Sequence, residues 1–222
     1  MRLVVSKRSL HGILKWVQRV LFACAIALLG YCGIVLVDAW IFQKRESGNL
    51  ERLLREQRAA AKGQPQTKAG ASPEAAPAIV GPDGLIGRIE ISRLGLSAII
   101  AEGTDKTTLR RAVGHIPGTA LPGQPGNTGL AGHRDTFFRP LRDVLQNDVI
   151  TLTTPGGEYR YRVVSTRVVK PTEFSVFRPT GNEILTLATC YPFNFVGAAP
   201  NRFIVRAERV AGPAGPLRRE SQ

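Results

Sequence analysis

The sequence predicts an all-β domain, folded as a closed barrel or a sandwich, behind one N-terminal transmembrane helix. Two observations predict this class. An apolar run near the N-terminus is long enough to cross a bilayer as a helix. From residue 86 onward, short runs with alternating apolar residues recur at close spacing, and Gly and Pro separate them.

The first segment, residues 1–45, is predicted to be a cytoplasmic N-terminus followed by the membrane anchor. Its first 19 residues carry five Lys or Arg residues and no acid, and Val20–Val37 is apolar apart from Gly and Tyr. Trp16 and Trp40 bracket the run, as interfacial aromatic residues do. A cleaved signal peptide would have a shorter apolar core and a small-residue cleavage site, so an uncleaved anchor is favoured. The long C-terminal domain favours export of that domain across a single-pass cell membrane anchor.

Residues 46–81 are predicted to form a polar helix and a flexible linker. Glu46–Lys62 has one narrow apolar stripe of leucines, which indicates either a continuation of the membrane helix or weak pairing with a partner. Gly63–Gly81 is rich in Ala, Pro, Gly, Gln and Ser and is predicted to be a disordered tether. The folded domain is predicted over residues 82–210, and a disordered tail over residues 211–222.

Within the domain, alternation and turn residues predict a series of strands. The turn Pro155-Gly156-Gly157 predicts a hairpin between two of them. Thr104 is predicted to cap a short helix over Asp105–Ala112, and Pro171–Pro179 is predicted to be a loop with a turn of helix. The predicted strands are Ile86–Ile91, Leu96–Ala101, Thr128–Gly132, Val149–Thr153, Glu158–Val169, Ile184–Thr189 and Arg202–Val210.

Composition limits the possible partners. The chain has 222 residues and a formal net charge of +13, which suits nucleic acid, an anionic membrane surface or a cell-wall polymer. No nucleic-acid motif and no basic run interleaved with aromatic residues is present, so no nucleic-acid partner is predicted. Three cysteines, two of them in the apolar run, do not form a disulfide framework. The sequence predicts no cofactor, and it has no carboxylate cluster that suggests a metal site.

Three polar residues are predicted at strand edges. Cys190 ends a strand that Pro192 stops, His133 follows a strand of small residues, and Arg202 begins the last strand. Acyl transfer uses these three groups: a thiolate attacks, an imidazole protonates the departing amine and a guanidinium holds the oxyanion. Each residue alone is weak evidence: His133 and Arg202 could be structural, and a structural role is favoured for Cys190 taken alone, because free cysteine is among the most buried residue types.

The motifs around these residues resemble those of the sortases, the cysteine transpeptidases of bacterial cell surfaces. Thr186-Leu187-Ala188-Thr189-Cys190 is similar to their Thr-Leu-x-Thr-Cys signature. The segment Ala131–Phe138, Ala-Gly-His-Arg-Asp-Thr-Phe-Phe, resembles their histidine motif, most closely that of class D sortases. Arg202, twelve residues after the cysteine, stands where the family has its arginine. The resemblance covers residues 84 to 210.

The resemblance implies an eight-stranded sortase barrel with Cys190, His133 and Arg202 as catalytic residues at one rim. Such an enzyme recognises a sorting signal of the Leu-Pro-x-Thr-Gly type in a secreted protein and forms a thioacyl enzyme. An amine of a peptidoglycan precursor or of a pilin then resolves it. Thr189 is expected to contact the substrate, and the loops Pro171–Pro179 and Pro192–Pro200 are expected to shape the peptide groove.

Several alternatives stay open at the level of the sequence. The same three residues could release a protein by hydrolysis, or the domain could be a non-catalytic tethered barrel with a structural Cys190. His133-Arg134-Asp135 spells the protein-kinase catalytic triplet, but the chain lacks the Gly-rich loop and the Asp-Phe-Gly motif. Asp135 could orient His133 if the strand continues. His115 is expected to cap a loop.

Overall fold

The computed structural model describes residues 7–63, 78–81 and 84–210. Most of the predicted tether and all of the predicted C-terminal tail lie outside the described residues. The described chain divides into two compact units, the first ending at Ile41 and the second beginning at Phe42.

The described residues of the first unit form the N-terminal part of helix α1, which runs Lys7–Gly63. Among the described residues, α1 is the one helix that is long and apolar enough to cross a membrane, judged by length and composition. Its large apolar side chains are exposed: Trp16, Leu29 and Trp40 are 66%, 72% and 60% accessible. A helix that is apolar on its exposed surface suits a bilayer. The prediction of one N-terminal apolar helix is therefore confirmed.

The second unit contains a closed barrel of eight strands, as predicted. Around the barrel the neighbours are β1-β2-β3-β4-β7-β8-β6-β5. The pairs β2–β3 and β4–β7 are parallel, and the other pairs are antiparallel. The strands are β1 (Leu85–Ile91), β2 (Leu96–Glu102), β3 (Val113–His115), β4 (Asn127–Ala131), β5 (Val149–Thr154), β6 (Gly157–Val169), β7 (Ile184–Tyr191) and β8 (Asn201–Arg209).

The barrel interior is the main core. Because side chains alternate between the two faces of a strand, every second residue of β7 and β8 points inward. Inward residues of these strands include Leu185, Leu187, Val205 and Ala207, all fully buried. Other strands contribute buried residues such as Ile89, Leu130, Leu152 and Tyr161.

Outside the barrel wall, a 3-10 turn at Phe174–Phe177 covers β7 and β8. Val176 of this turn packs with Ala188 and Ile204, which lie on the outer face of the wall. The helical turn predicted in the Pro171–Pro179 loop is thus confirmed. The turn packs on the outer face at Ala188, two residues before Cys190.

Two local predictions need correction. Strand β3, only three residues long, was not among the predicted strands. The predicted Thr104 cap is wrong: the capping residue is Asp105, and helix α2 runs Lys106–Arg111. The Asp105 carboxylate accepts hydrogen bonds from the amides of Thr107 and Thr108 at 2.8 and 3.1 Å. The Thr108 hydroxyl also donates to this carboxylate, and its bond has the largest effect in lowering the pKa of Asp105. The two amide bonds lower that pKa further.

The segment of α1 that lies in the second unit packs on the barrel. The Gln43 side-chain amide donates to the Arg111 carbonyl at 2.7 Å and accepts from the Ile99 amide at 2.9 Å. Leu50 is 1% exposed and packs in a cluster with Leu85, Ile99, Ala101 and Ala112. The predicted polar helix is therefore the C-terminal part of α1. Leu50 of its leucine stripe packs against β2 of the same chain.

Contacts with the barrel are already present before β1. Ala78 is 2% exposed, and its amide donates to the Pro122 carbonyl at 2.9 Å. The Gly81 amide donates to the Leu85 carbonyl at 2.7 Å. Residues 78–81 thus pack and bond with the domain ahead of its predicted start at residue 82.

Candidate active site

Cys190 lies near the end of β7, directly opposite Arg202 in the antiparallel β7–β8 pairing. Residues that are directly opposed in such a pair point to the same face of the sheet. Both residues are half-buried. Pro192 follows the end of β7, as predicted, and the Tyr191–Pro192 peptide bond is cis.

The face on which Cys190 lies follows from its neighbours. Ala188, two residues earlier, packs with Val176 on the outer face, whereas Leu187 is in the barrel core. By alternation Cys190 and Arg202 belong to the outer face. On this face the Phe174–Phe177 turn packs on Ala188 and Ile204, each two residues from Cys190 and Arg202 along its strand.

His133 is brought to the same edge through β4. Strand β4 runs parallel to β7, with Ala131 in register with Ala188. One residue further, the Gly132 amide donates to the Ala188 carbonyl at 3.1 Å. His133 lies two residues beyond the last paired residue of β4, as Cys190 lies two residues beyond Ala188 in β7. The His133 side chain is exposed, and its carbonyl accepts from the Phe138 amide at 3.1 Å.

Thr189 has a different position from the other predicted site residues. Its side chain is 2% exposed, and its hydroxyl donates to the Gly132 carbonyl at 2.7 Å. This bond joins the residue before Cys190 to the residue before His133. The predicted substrate contact of Thr189 stays a prediction, and the burial of the hydroxyl favours a role in positioning these two segments.

The loop Pro192–Pro200, which joins β7 to β8, receives hydrogen bonds from two arginines. Arg202 donates to the carbonyls of Ala199 and Asn201 at 3.3 and 3.0 Å. Arg134, which is only 6% exposed, donates to the Pro192 carbonyl at 2.7 Å. Sequence reasoning gave Arg134 no role beyond the kinase-like triplet, because its carbonyl partners lie far away in the chain and carry no sequence signal.

The remaining candidates lie in other surroundings. The Asp135 side chain is 65% exposed, and its arginine neighbours are Arg134 at 3.4 Å and Arg139 at 4.0 Å. His115 is buried, with Nδ1 2.7 Å from Glu102 and Nε2 3.1 Å from the Ala120 carbonyl. The contact with Ala120 matches the expected loop-capping role. Over the described ranges, no group of three or more His, Cys, Asp and Glu side chains could hold a metal ion.

Comparison with known proteins identifies the family. The model of the sortase domain matches residues 89–210. The chain belongs to the sortase family. Sortase D of Bacillus subtilis (strain 168) is 32% identical over 203 residues, which are 86% of this chain and 96% of that relative.

Solved structures agree with this family. A sortase C-1 structure from Actinomyces oris is 27% identical with a TM-score of 0.54, over 73% of this chain and 98% of that one. A sortase D5 from Clostridium perfringens has a TM-score of 0.59 at 23% identity, over 76% and 98% of the two chains, and supports the fold.

Membership of the family confirms several predictions. The chain is a sortase-type cysteine transpeptidase with the eight-stranded barrel, and its likeness to class D sortases is confirmed. Sortases act on secreted proteins that carry sorting signals and on amine acceptors. The alternative of a non-catalytic barrel is not supported. The roles of His133, Cys190, Arg202 and Thr189 stay predictions.

Proposed function

We propose that this sortase cleaves a Leu-Pro-x-Thr-Gly-like sorting signal and transfers the protein to an amine of the cell envelope, through a thioacyl enzyme at Cys190. The observation that carries this proposal is the register at the barrel edge. Cys190 lies opposite Arg202 on β8, and His133 follows the end of the parallel neighbour β4. This arrangement supports a site in which a thiol, a guanidinium and an imidazole act together.

The proposed reaction has two balanced steps. The Cys190 thiolate attacks the threonine carbonyl carbon, and the oxyanion that forms is held by the Arg202 guanidinium. The bond to glycine breaks while the His133 imidazolium gives its proton to the departing amine. An incoming amine then attacks the thioester and loses a proton to His133, and Cys190 leaves as the thiolate.

We place the catalytic domain on the extracytoplasmic side of a single-pass membrane anchor. The apolar run Val20–Val37 within α1, the basic residues on its N-terminal side and the long domain that follows it support this orientation. Protease added to intact spheroplasts is expected to digest the domain. Protection of the domain until the membrane is opened would contradict this topology.

The activity is tested with the full chain in detergent and a quenched sorting-signal peptide. Cleavage is expected, and Cys190→Ala is expected to abolish it. Adding an amine acceptor is expected to speed turnover and to yield a ligated product. If turnover does not change and only the free acid forms, the enzyme is a sorting-signal hydrolase. If Cys190→Ala leaves cleavage unchanged, the proposed nucleophile is wrong.

A further inference from the structure

Arg134 is a charged residue in an unusually buried position. It follows His133 directly, yet it is only 6% exposed. Arginine is rarely this buried unless its donors are satisfied. Its acidic neighbour Asp135 is 3.4 Å away and is itself 65% exposed. An ion pair with so exposed a partner is weak, so it does not account for the burial of Arg134.

The guanidinium is satisfied by carbonyl groups of the Pro192–Pro200 loop. Nη1 donates to the Pro192 carbonyl at 2.7 Å, and Nη2 donates to the carbonyls of Phe195 and Gly197, the latter at 3.3 Å. The guanidinium carbon also lies 6.0 Å from the centre of the Phe195 ring. A planar fork of donors can serve three carbonyls at once, which a lysine ammonium cannot match in geometry.

The start of the loop has an anchor of its own. Phe193 packs against the core and lies 5.4 Å from the ring of Phe203, centre to centre. Beyond Phe193, the loop is exposed from residue 194 to residue 198. The contacts of Arg134 with Phe195 and Gly197 fall within this exposed part. Arg134 therefore holds the part of the loop that core packing does not hold.

This loop connects the residues proposed for the chemistry. It begins two residues after Cys190 and ends just before β8, which carries Arg202. Arg202 in turn donates to the carbonyl of Ala199, at the loop's far end, and to that of Asn201, the first residue of β8. Because Arg134 is bonded in sequence to His133, it ties the histidine segment to the loop that flanks both other residues.

We propose that Arg134 is a positioning residue that orders the Pro192–Pro200 loop and thereby sets how the sorting-signal peptide binds beside Cys190. The proposal rests on the proposed function for its effect on the peptide, whereas the ordering of the loop is independent of it. Arg134 acts through the loop and does not touch the reacting atoms.

The test compares four full-length proteins in detergent: the native chain, Arg134→Met, Arg134→Lys and Arg139→Met. Methionine keeps apolar bulk without donors, and lysine keeps the charge without the fork. Arg139→Met is the matched control, because it removes one nearby positive charge from a side chain that is 54% exposed. Three quantities are measured: amide hydrogen exchange over residues 194–198, KM and kcat for the peptide, and the alkylation rate of Cys190 by iodoacetamide.

Both Arg134 variants are expected to raise the rate of amide exchange in the loop by about 10-fold or more, and to raise KM by about 10-fold or more. The reason is the loss of the charge-assisted hydrogen bonds from Arg134 to the loop carbonyls. The alkylation rate of Cys190 measures the access of a small reagent to the thiol. It is expected to stay within about 2-fold of the native rate, since β7 and its register are retained. Arg139→Met is expected to match the native chain in all three measurements.

Unchanged loop exchange in Arg134→Met overturns the proposal. The proposal is also overturned if an Arg134 variant shows faster amide exchange across the whole barrel together with a changed alkylation rate of Cys190. Arg134 would then support the fold in general. Native behaviour of Arg134→Lys overturns the role of the fork. If the native chain does not process the peptide at all, the proposed function fails, and loop exchange still decides whether Arg134 orders the loop.

Discussion

Cys190 and Arg202 lie directly opposite each other across the antiparallel pairing of β7 and β8. The strand pairing thus places the two side chains on the same face of the sheet. The loop carbonyl of Ala199 and the carbonyl of Asn201, the first residue of β8, also accept hydrogen bonds from the Arg202 guanidinium. The same residue is therefore fixed by its strand and by the loop that flanks the site.

Arg202→Ala is expected to lower kcat by about 10²- to 10³-fold, the size of effect seen when one oxyanion donor is removed. The binding of the peptide is expected to change much less. Arg206→Ala is the matched control, because Arg206 lies four residues along the same strand and on the same face, opposite Thr186. Steady-state kinetics with the quenched peptide measure both. Equal losses in the two variants would show that general charge is responsible.

Thr189→Val tests whether this residue contacts the substrate or positions the site. The substitution keeps the β-branched shape and removes the hydroxyl that donates to the Gly132 carbonyl. Loss of a buried hydrogen bond costs about 1–3 kcal/mol when the acceptor stays unpaired. We expect a lower kcat with KM unchanged, and recovery of kcat in Thr189→Ser. A raised KM with unchanged kcat would instead favour the substrate contact.

Leu50→Ala is expected to destabilise the domain, although Leu50 lies in the helix before the predicted linker. Its side chain is 1% exposed against Ile99 and Ala112. Deleting such a buried leucine side chain costs about 2–5 kcal/mol. Leu53→Ala, at a half-buried position three residues later, is the control with a smaller expected loss. Thermal unfolding of the full chain in detergent, followed by near-ultraviolet circular dichroism, measures the difference. Equal melting temperatures would contradict the packing of this helix on the barrel.

Asp148→Asn is expected to weaken the domain at neutral pH and not at low pH. Asp148 accepts from Arg93 at 2.5 and 2.6 Å and from the Leu145 amide at 2.8 Å. The bonds from Arg93, and then that from Leu145, lower the pKa of this carboxyl below its ordinary value of 3.8. Because the pKa is lower in the folded state, the contribution is complete well above pH 3.8 and is lost as the pH falls below it.

The expected loss for Asp148→Asn at pH 7 is about 1–3 kcal/mol, as for hydrogen bonds to charged groups. Urea unfolding at pH 7 and at pH 3 measures it. Asp143→Asn is the control, because the Asp143 side chain is 64% exposed and pairs with the half-exposed Arg142. A loss of the same size at both pH values would contradict the role of the ionised carboxylate.

Strands with long alternation could be predicted from the sequence, and β6 and β8 are found close to their predicted bounds. Strand β3 could not, because Val113-Gly114-His115 is too short to show a period and is defined by pairing with β2 and β4. The Asp105 cap was missed by one residue, since Thr104 and Asp105 are both good capping types.

The candidate site residues were predicted from short motifs, and β4, β7 and β8, the strands that carry or precede them, are neighbours in the barrel. What the sequence could not reveal are contacts between side chains and distant backbone. Arg134 bonds to carbonyls about 60 positions away, and Gln43 bonds to an amide 56 positions away. Backbone acceptors carry no residue type, so such contacts leave no pattern in the sequence.

In the proposed reaction Cys190 carries the acyl group. The most direct test of this step is the intact mass of the full-length enzyme after brief mixing with the sorting-signal peptide and an acid quench, without an amine acceptor. We expect an adduct equal to the peptide up to its threonine, located on Cys190 by fragmentation and missing from Cys190→Ala. Peptide cleavage without any adduct on Cys190, or an adduct on another residue, would contradict it.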